Sequence, residues 1–355
     1  MRIAGVGSSF PPNFYDQETL LAALRGHWMK RHHNLARLEQ LHRNVLVGGR
    51  HLALPIEEYT RLETWGQAND AWIRVAQEIG GEAVTKALGQ AGLTAEDVDT
   101  LITVTVTGIA TPSLDARLVN RLGLPTRVKR VPIFGLGCVA GAAGIARAAD
   151  AVRAFPGEVA VLLSVELCSL TLQLQDLSIP NLIASGLFGD GAAAVVVAGA
   201  ERALAGEARA ARPRVVATRS VFYPGTEEVM GWDISERGFQ IVLSADVPEM
   251  VRRHLRGDVD GFLAEHSLTR GDVATWICHP GGPKVLEAME ETLELPAGAL
   301  EVTWQGLREV GNLSSTSVLL ALQETVASHP GPPGSPGLLL AMGPGFCSEL
   351  VLLEW

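Results

Sequence analysis

The sequence predicts an α/β fold of stacked layers, built from two halves with the same order of elements. Three observations carry this. Apolar runs of strand length alternate with helical stretches, and a strand–helix–strand–helix–strand order followed by a strand pair occurs in both halves. The pattern restarts after a loop rich in Ala, Arg and Glu at residues 199–213. Residues 142–152 are alanine-rich and largely apolar, with Arg147 on one face, so as a helix they fit a buried central layer. The halves are expected at residues 1–212 and 213–355, each with its own mixed sheet and with helices of both packed between the sheets. No residue-level repeat relates them.

Residues 2–7 read as a short strand, and 7–13 as a turn region with Pro11-Pro12. Residues 16–28 have a helical period, with Asp16 placed to cap it. Residues 29–50 are basic, with Lys30, Arg31, Arg37, Arg43 and Arg50, and read either as a solvated helix face or as a patch for an anionic group such as a nucleotide phosphate. Residues 68–88 form a long amphipathic helix, 97–106 lead into an apolar strand, and 113–122 form a short helix. Residues 128–134 read as a buried strand, 158–165 and 192–197 as further strands, and residues 183–191, with Gly186, Gly189 and Gly191, as a tight turn. In the second half, 215–221 and 239–243 are strands. Residues 246–266 are a helix with Pro248 near its start. A strand at 274–278, helices at 284–292 and 312–327, an exposed loop at 329–337 and strands at 338–342 and 349–353 complete the chain.

A hydrophobic content of 47% over 355 residues is enough for a large core or two fused ones. The net charge of −10 argues against nucleic acid and against a basic membrane-binding face. Cys138, Cys168, Cys278 and Cys347 are scattered, with no CxxC pair and no zinc spacing, so neither a disulfide framework nor a metal site is expected. The absence of a signal-peptide pattern and of a bilayer-length apolar run leads to the expectation of a cytoplasmic protein.

Cys138 sits in Gly135-Leu136-Gly137-Cys138-Val139-Ala140-Gly141, where a strand turns into a helix. Free N–H groups and the positive helix end should lower its pKa and yield a thiolate; the alternative is an inert buried cysteine. His279 follows a strand, and Asn312 is placed at a helix start. Taken singly, His279 could be a turn residue and Asn312 an N-cap. Taken together, a thiolate to accept an acyl group, an imidazole to hold an ion pair with it, and an amide to stabilise an oxyanion amount to acyl transfer.

The ordered motifs Gly137-Cys138-Val139-Ala140-Gly141, Leu187-Phe188-Gly189-Asp190-Gly191, His279-Pro280-Gly281-Gly282-Pro283, Gly311-Asn312-Leu313-Ser314-Ser315 and Met342-Gly343-Pro344-Gly345-Phe346 resemble those of type III polyketide synthases, the chalcone and stilbene synthase family. The resemblance implies a thiolase-like αβαβα fold, a homodimer and a triad of Cys138, His279 and Asn312. It implies that an acyl-CoA starter loads on Cys138 and is extended by decarboxylative condensation with malonyl-CoA, with no metal or redox cofactor. By position, Phe188 is the aromatic gate between a CoA tunnel and the cavity. Ser314, Met342, Gly343 and Pro344 fall in substrate-binding motifs, and Gly281, Gly282 and Lys284 lie along the pantetheine path. Arg37 matches a phosphate-binding position, whereas Gln40 and Asn44 replace two others and Arg43 stands adjacent.

The cavity positions depart from the plant pattern: Trp232 in place of a glycine, Ile241 in place of a second aromatic gate, Cys168 and Val106 in place of threonines, with Thr171 retained and Thr107 beside Val106. Apolar lining suits an alkyl chain, at about 0.8 kcal/mol per buried methylene. The stretch Glu166-Leu167-Cys168-Ser169 resembles bacterial members that take long fatty acyl starters, which implies an alkylpyrone or alkylresorcinol product. The rival readings are a starter that is short or aromatic, a single condensation of the β-ketoacyl synthase III type with a carrier protein as donor, and a non-catalytic partner subunit.

Overall fold

The structure is a computed structural model that describes residues 1–28, 35–204 and 212–355. Residues 29–34 of the basic segment and 205–211 of the loop between the halves lie outside the described residues. The first half contains β1 (Arg2–Ser9), β2 (Asn13–Asp16), α1 (Gln17–Trp28), α2 (Leu35–Asn44), β3 (Gly49–Leu52) and the long α3 (Trp65–Ala91). It continues through β4 (Thr100–Thr105), α4 (Leu114–Leu122), β5 (Lys129–Phe134), α5 (Ala140–Ala154), β6 (Val159–Leu167), α6 (Ile179–Leu187) and β7 (Asp190–Ala198). The second half contains β8 (Arg214–Phe222), β9 (Met230–Ser235), β10 (Gly238–Leu243), α7 (Val247–Ala264), β11 (Thr275–Cys278) and α8 (Pro283–Leu293). It ends with α9 (Glu301–Val310), α10 (Ser317–Ser328), β12 (Pro336–Gly343) and β13 (Cys347–Glu354).

The two expected sheets are joined. The strands run β11-β12-β13-β8-β1-β7-β6-β4-β5, and the halves meet where β1 pairs with β8 at Arg2 and Arg214. Three apolar cores separate the layers. One lies under α3, with Trp72, Ile79 and Val84 against Val161 and Leu163. A central core holds α5 and α10, with Ile145 and Leu319 among Val195, Leu339 and Val351. A third lies under α7 and α8, with Leu255, Phe262 and Leu286 against Leu338 and Leu350. This is the thiolase-like layering of helix, sheet, helix, sheet and helix.

Small residues set the layer spacing. A Cβ on Gly5 of β1 would lie 2.1 Å from the Ala87 carbonyl oxygen of α3, and one on Gly144 of α5 would lie 2.4 Å from Leu162 of β6. Helix ends follow the expected chemistry. Asp16 accepts the Thr19 N–H at 2.7 Å, as a cap should. A capping box of Thr64 and Gln67 opens α3, and Gly92 in the left-handed region closes it.

Several expectations change. The apolar run 128–134 predicts a buried strand, yet β5 is the exposed edge of the sheet and pairs only with β4, leaving Val131 and Phe134 open. The tight turn at 183–191 is mostly helix: Ser178 caps α6 and Pro180 sits in its first turn. The helix expected from residue 312 starts at Ser317, because the backbone of Asn312 instead forms a bridge with Phe188. The pairs β2–β3 and β9–β10 and helix α9 supply roofs and walls that the residue pattern does not reveal.

Gly141, on the first turn of α5, joins the halves most closely: a Cβ there would lie 2.3 Å from the Ser315 carbonyl oxygen and 2.6 Å from Val318. Gly141→Ala is expected to cost about 1–3 kcal/mol of stability, as overpacking does, read in a urea or thermal melt. Gly26→Ala on exposed α1, where an added Cβ meets nothing within 4 Å, should be neutral or stabilise by up to about 1 kcal/mol.

Candidate active site

Cys138 occupies a short 3-10 turn, Gly137–Val139, between β5 and α5. Three loops close on it. Gly137 has φ +54°, and a Cβ there would lie 2.6 Å from Pro344. A Cβ on Gly343 would lie 2.7 Å from the Val139 nitrogen. From the third loop Ser314, itself at φ +47°, accepts a hydrogen bond from the Cys138 thiol at 3.7 Å. These positive φ angles and close approaches require glycine at 137 and strain the serine at 314.

His279 follows β11, and its N–H donates to the Leu340 carbonyl at 3.0 Å. The ring is buried, and among the described residues neither of its nitrogens has a hydrogen-bond partner. Asn312 Oδ1 accepts the Ser314 N–H at 2.8 Å, while Nδ2 donates to the Gly281 carbonyl at 3.4 Å. That orientation fixes the carboxamide as a donor facing the cavity. The Asn312 N–H donates to the Leu187 carbonyl at 2.9 Å, and its carbonyl accepts the Gly189 N–H at 3.0 Å, which clamps Phe188 between them.

Two cavities meet at the sulfur. The outer one, about 470 Å³, is lined by Cys138, His279, Asn312, Gly281, Gly282, Lys284 and Met342 among others. The inner one, about 150 Å³, is lined by Cys138, Val106, Cys168, Thr171, Trp232, Ile241, Ser314 and Pro344 among others. Cys138, Phe188, Met230 and Leu243 border both, so Phe188 stands at the junction.

Two expected cavity residues, Thr107 and Gly343, line neither cavity. Thr107 faces away from both cavities: its hydroxyl donates to Glu166 Oε2 at 2.9 Å and accepts the Leu167 N–H at 3.0 Å. Gly343 contributes close backbone packing rather than cavity wall. Arg37 and Arg43 project from the outward face of α2 and border neither cavity, and Arg43 pairs with Glu39 at 3.7 Å. The α2 residues that do reach the outer cavity are Leu41 and Asn44.

The electrostatics overturn one expectation. Burial pushes the Cys138 thiol up to about 12, against a smaller lowering from the Ser314 contact and a raising by the Glu166 charge. Burial likewise pulls His279 down to about 3. Desolvation by burial is the largest influence on the sulfur. Both groups therefore favour their neutral forms, and a thiolate–imidazolium pair has to draw on the attraction between the two charges.

Glu166 has a role that its sequence context does not disclose. It is fully buried at the end of β6; its Oε1 accepts the Ser315 hydroxyl, and its Oε2 accepts the Val106 N–H at 3.1 Å. Ser164 adds contacts of 2.8 Å to Ser315 and 2.7 Å to Thr316. This buried network holds the Asn312 loop against the first-half sheet. Burial raises the Glu166 carboxyl to about 7, partly offset by these hydrogen bonds. The available signal is a carboxylate near the end of an otherwise mostly apolar strand run.

Family models place these features in context. Residues 2–201 match "Chalcone and stilbene synthases, N-terminal domain", and residues 214–354 match the corresponding C-terminal domain. The chain belongs to the chalcone and stilbene synthase family. It is a type III polyketide synthase, an enzyme of decarboxylative condensation. It is 52% identical over 353 residues to a 1,3,6,8-tetrahydroxynaphthalene synthase of Streptomyces peucetius subsp. caesius, covering 99% of this chain and 93% of the relative. It is 33% identical to a 3,5-dihydroxyphenylacetyl-CoA synthase of Amycolatopsis orientalis, covering 100% of this chain and 93% of that one. The crystal structure of the 1,3,6,8-tetrahydroxynaphthalene synthase of Streptomyces coelicolor A3(2), a bacterial type III polyketide synthase, superposes with a TM-score of 0.93 at 32% identity, covering 100% of this chain and 99% of that one. Among the described residues no cluster of candidate metal ligands occurs, and no helix is long and apolar enough to cross a membrane.

His279→Ala leaves the Cys138 thiol with burial alone and no neighbouring proton acceptor. Its alkylation by iodoacetamide at pH 7 is expected to slow at least about tenfold against the wild type, since only the thiolate reacts. The rate should keep climbing to about pH 9 without a plateau, measured by mass spectrometry of the Cys138 peptide.

Proposed function

We propose that this synthase primes with a short, malonyl-derived starter and builds a polyhydroxylated aromatic product from malonyl-CoA alone. The observation that carries this reading is the size and capping of the inner cavity: about 150 Å³, with Trp232 of β9 set into its wall and packed on Phe239 at 5.8 Å. Such a space favours a chain that folds on itself over an extended alkyl tail. The 1,3,6,8-tetrahydroxynaphthalene synthase relative, similar over nearly the full chain, supports the same product class.

In this reading the starter thioester enters through the outer cavity past Gly281, Gly282 and Lys284. The Cys138 thiol loses its proton to His279, the thiolate attacks the thioester carbonyl, and CoA leaves as its thiol on taking a proton. Malonyl-CoA then binds in the outer cavity and loses carbon dioxide. The electron pair of the broken bond becomes an enolate on the thioester oxygen. Asn312 Nδ2 and His279 donate to that oxygen, and each such donor is worth about 10²–10³ in rate. The enolate carbon attacks the acyl-Cys138 carbonyl, frees the thiolate and lengthens the chain by two carbons. Burial of the whole site keeps water from the intermediate. No metal or redox cofactor is part of this scheme. We include in the proposal a homodimer, supported by the open apolar side chains of edge strand β5, and a cytoplasmic setting.

A second reading has its own support. The inner cavity is walled by Leu20, Leu24, Leu52, Ile56, Leu172 and Leu174, which suit a long fatty acyl starter and an alkylpyrone or alkylresorcinol product. Mass spectrometry of products from labelled malonyl-CoA, alone and with acyl-CoA starters of rising length, separates the two. An aromatic product from malonyl-CoA alone is expected. Turnover that requires a long acyl-CoA would replace the first reading with the second. Asn312→Ala should lower condensation about 10²–10³-fold while Cys138 still becomes acylated, detected as a mass shift on the intact protein.

A further inference from the structure

The far wall of the inner cavity belongs to a separate ribbon. Strands β9 and β10 pair with each other and with no other strand among the described residues, and the wall residues Trp232 and Ile241 stand opposite one another in their register. A two-stranded ribbon is marginal on its own, so its seat on the body of the enzyme comes from side chains. Gln173 fixes the backbone, donating to the Arg237 and Phe239 carbonyls at 2.9 and 3.2 Å. The Trp232 ring has a different support: its ring contact among the described residues is to Phe239, with 5.8 Å between centroids.

Phe239 is 1% exposed and lines neither cavity, so it stands behind Trp232 rather than in the wall. It is not one of the side chains of the three layer cores either. Its burial is local and made by rings. Trp65, the first residue of α3, meets Phe239 edge-on at 5.8 Å, and Phe134 at the end of β5 lies tilted against it at 6.2 Å. Edge-to-face packing of this kind fixes ring orientation as well as distance. Gly238 leaves room for it: the residue has φ +88°, and a Cβ there would lie 2.5 Å from Trp65.

We propose that Phe239 is a positioning residue for product size: held by Trp65, it keeps the Trp232 ring in the inner cavity wall and so limits how far the chain on Cys138 grows before it closes. This rests on the reading above that the growing chain folds inside the inner cavity, and it holds for either starter. Removing the Phe239 ring opens apolar space on the side of Trp232 away from the cavity. The indole moves back into that space, the cavity gains volume, and one more decarboxylative condensation with malonyl-CoA fits before ring closure.

The test is Phe239→Leu, given labelled malonyl-CoA and the starter that the wild type uses, and read as the mass distribution of products. The ratio of product with one further malonyl unit to the wild-type product should rise at least about fivefold, the scale on which one aromatic pair biases an equilibrium. Acylation of Cys138, read as a mass shift on the intact protein, should stay within about twofold of the wild type, because Phe239 borders neither cavity. An unchanged product ratio would overturn the proposal. So would a joint fall in acylation and turnover, which marks Phe239 as structural. Action through Trp232 is tested by adding Phe239→Leu to Trp232→Ala, where the ratio should not change further; a second rise of the same size means another route and defeats the proposal. Should Phe239→Leu fail to fold, Trp65→Leu removes the ring behind it from the half-buried start of α3 and should raise the ratio at least about twofold. No rise there is equally fatal. A wild type that makes nothing from malonyl-CoA alone removes the malonyl-primed reading, whereas the product ratio measured with an acyl-CoA starter still decides the role of Phe239.

Discussion

The site depends on one packing constraint: two backbone segments from distant parts of the chain approach the turn that carries Cys138 more closely than side chains would allow. Gly137 gives way to Pro344, Gly343 to Val139, and Gly141 to the Ser315 carbonyl. The sulfur thus lies where the first-half sheet, the central helices and the last hairpin touch. Fold and site are one construction here, because the central helical layer that buries the apolar core also carries the nucleophile at its end. Overpacking any of these contacts would displace the reacting atoms as well as the layers.

The second constraint is dryness. Burial drives the Cys138 thiol and the His279 ring toward neutrality, and it holds Glu166 at about 7. The buried carboxylate is kept by hydrogen bonds from two serine- and threonine-bearing segments and from one backbone N–H. In such a dry cavity a charge is costly unless it is paired, and each hydrogen-bond donor acts more strongly than it would in water. Asn312 needs no rearrangement to act, since Ser314 already fixes its amide.

Much of this is legible in the residues. The alternation of apolar runs and helices, the alanine-rich helix after Cys138, and the motifs around Cys138, His279 and Asn312 point to the layered fold and to the residues that share the outer cavity. What cannot be read has a common cause. Whether strand 128–134 lies inside or at the edge depends on its neighbours, and an apolar run looks the same in both places. Asn312 resembles a helix cap until a long-range bridge to Phe188 claims its backbone. Thr107 adjoins a cavity residue in sequence, but it lies just past the end of β4, where the turning backbone directs its hydroxyl to Glu166. The helix start at Cys138 is visible in a sequence, whereas the burial by remote segments that pushes its thiol up is not.

The backbone clamp between residues 187–189 and Asn312 carries a further consequence. The aromatic ring that divides the two chambers and the amide that steadies negative charge ride on a shared hinge. A substitution that shifts the backbone at Phe188 would therefore shift Asn312 as well. Trp232 and Ile241 on the far wall are held differently, on a hairpin that Gln173 ties through the Arg237 and Phe239 carbonyls, so that wall can change shape without moving Asn312.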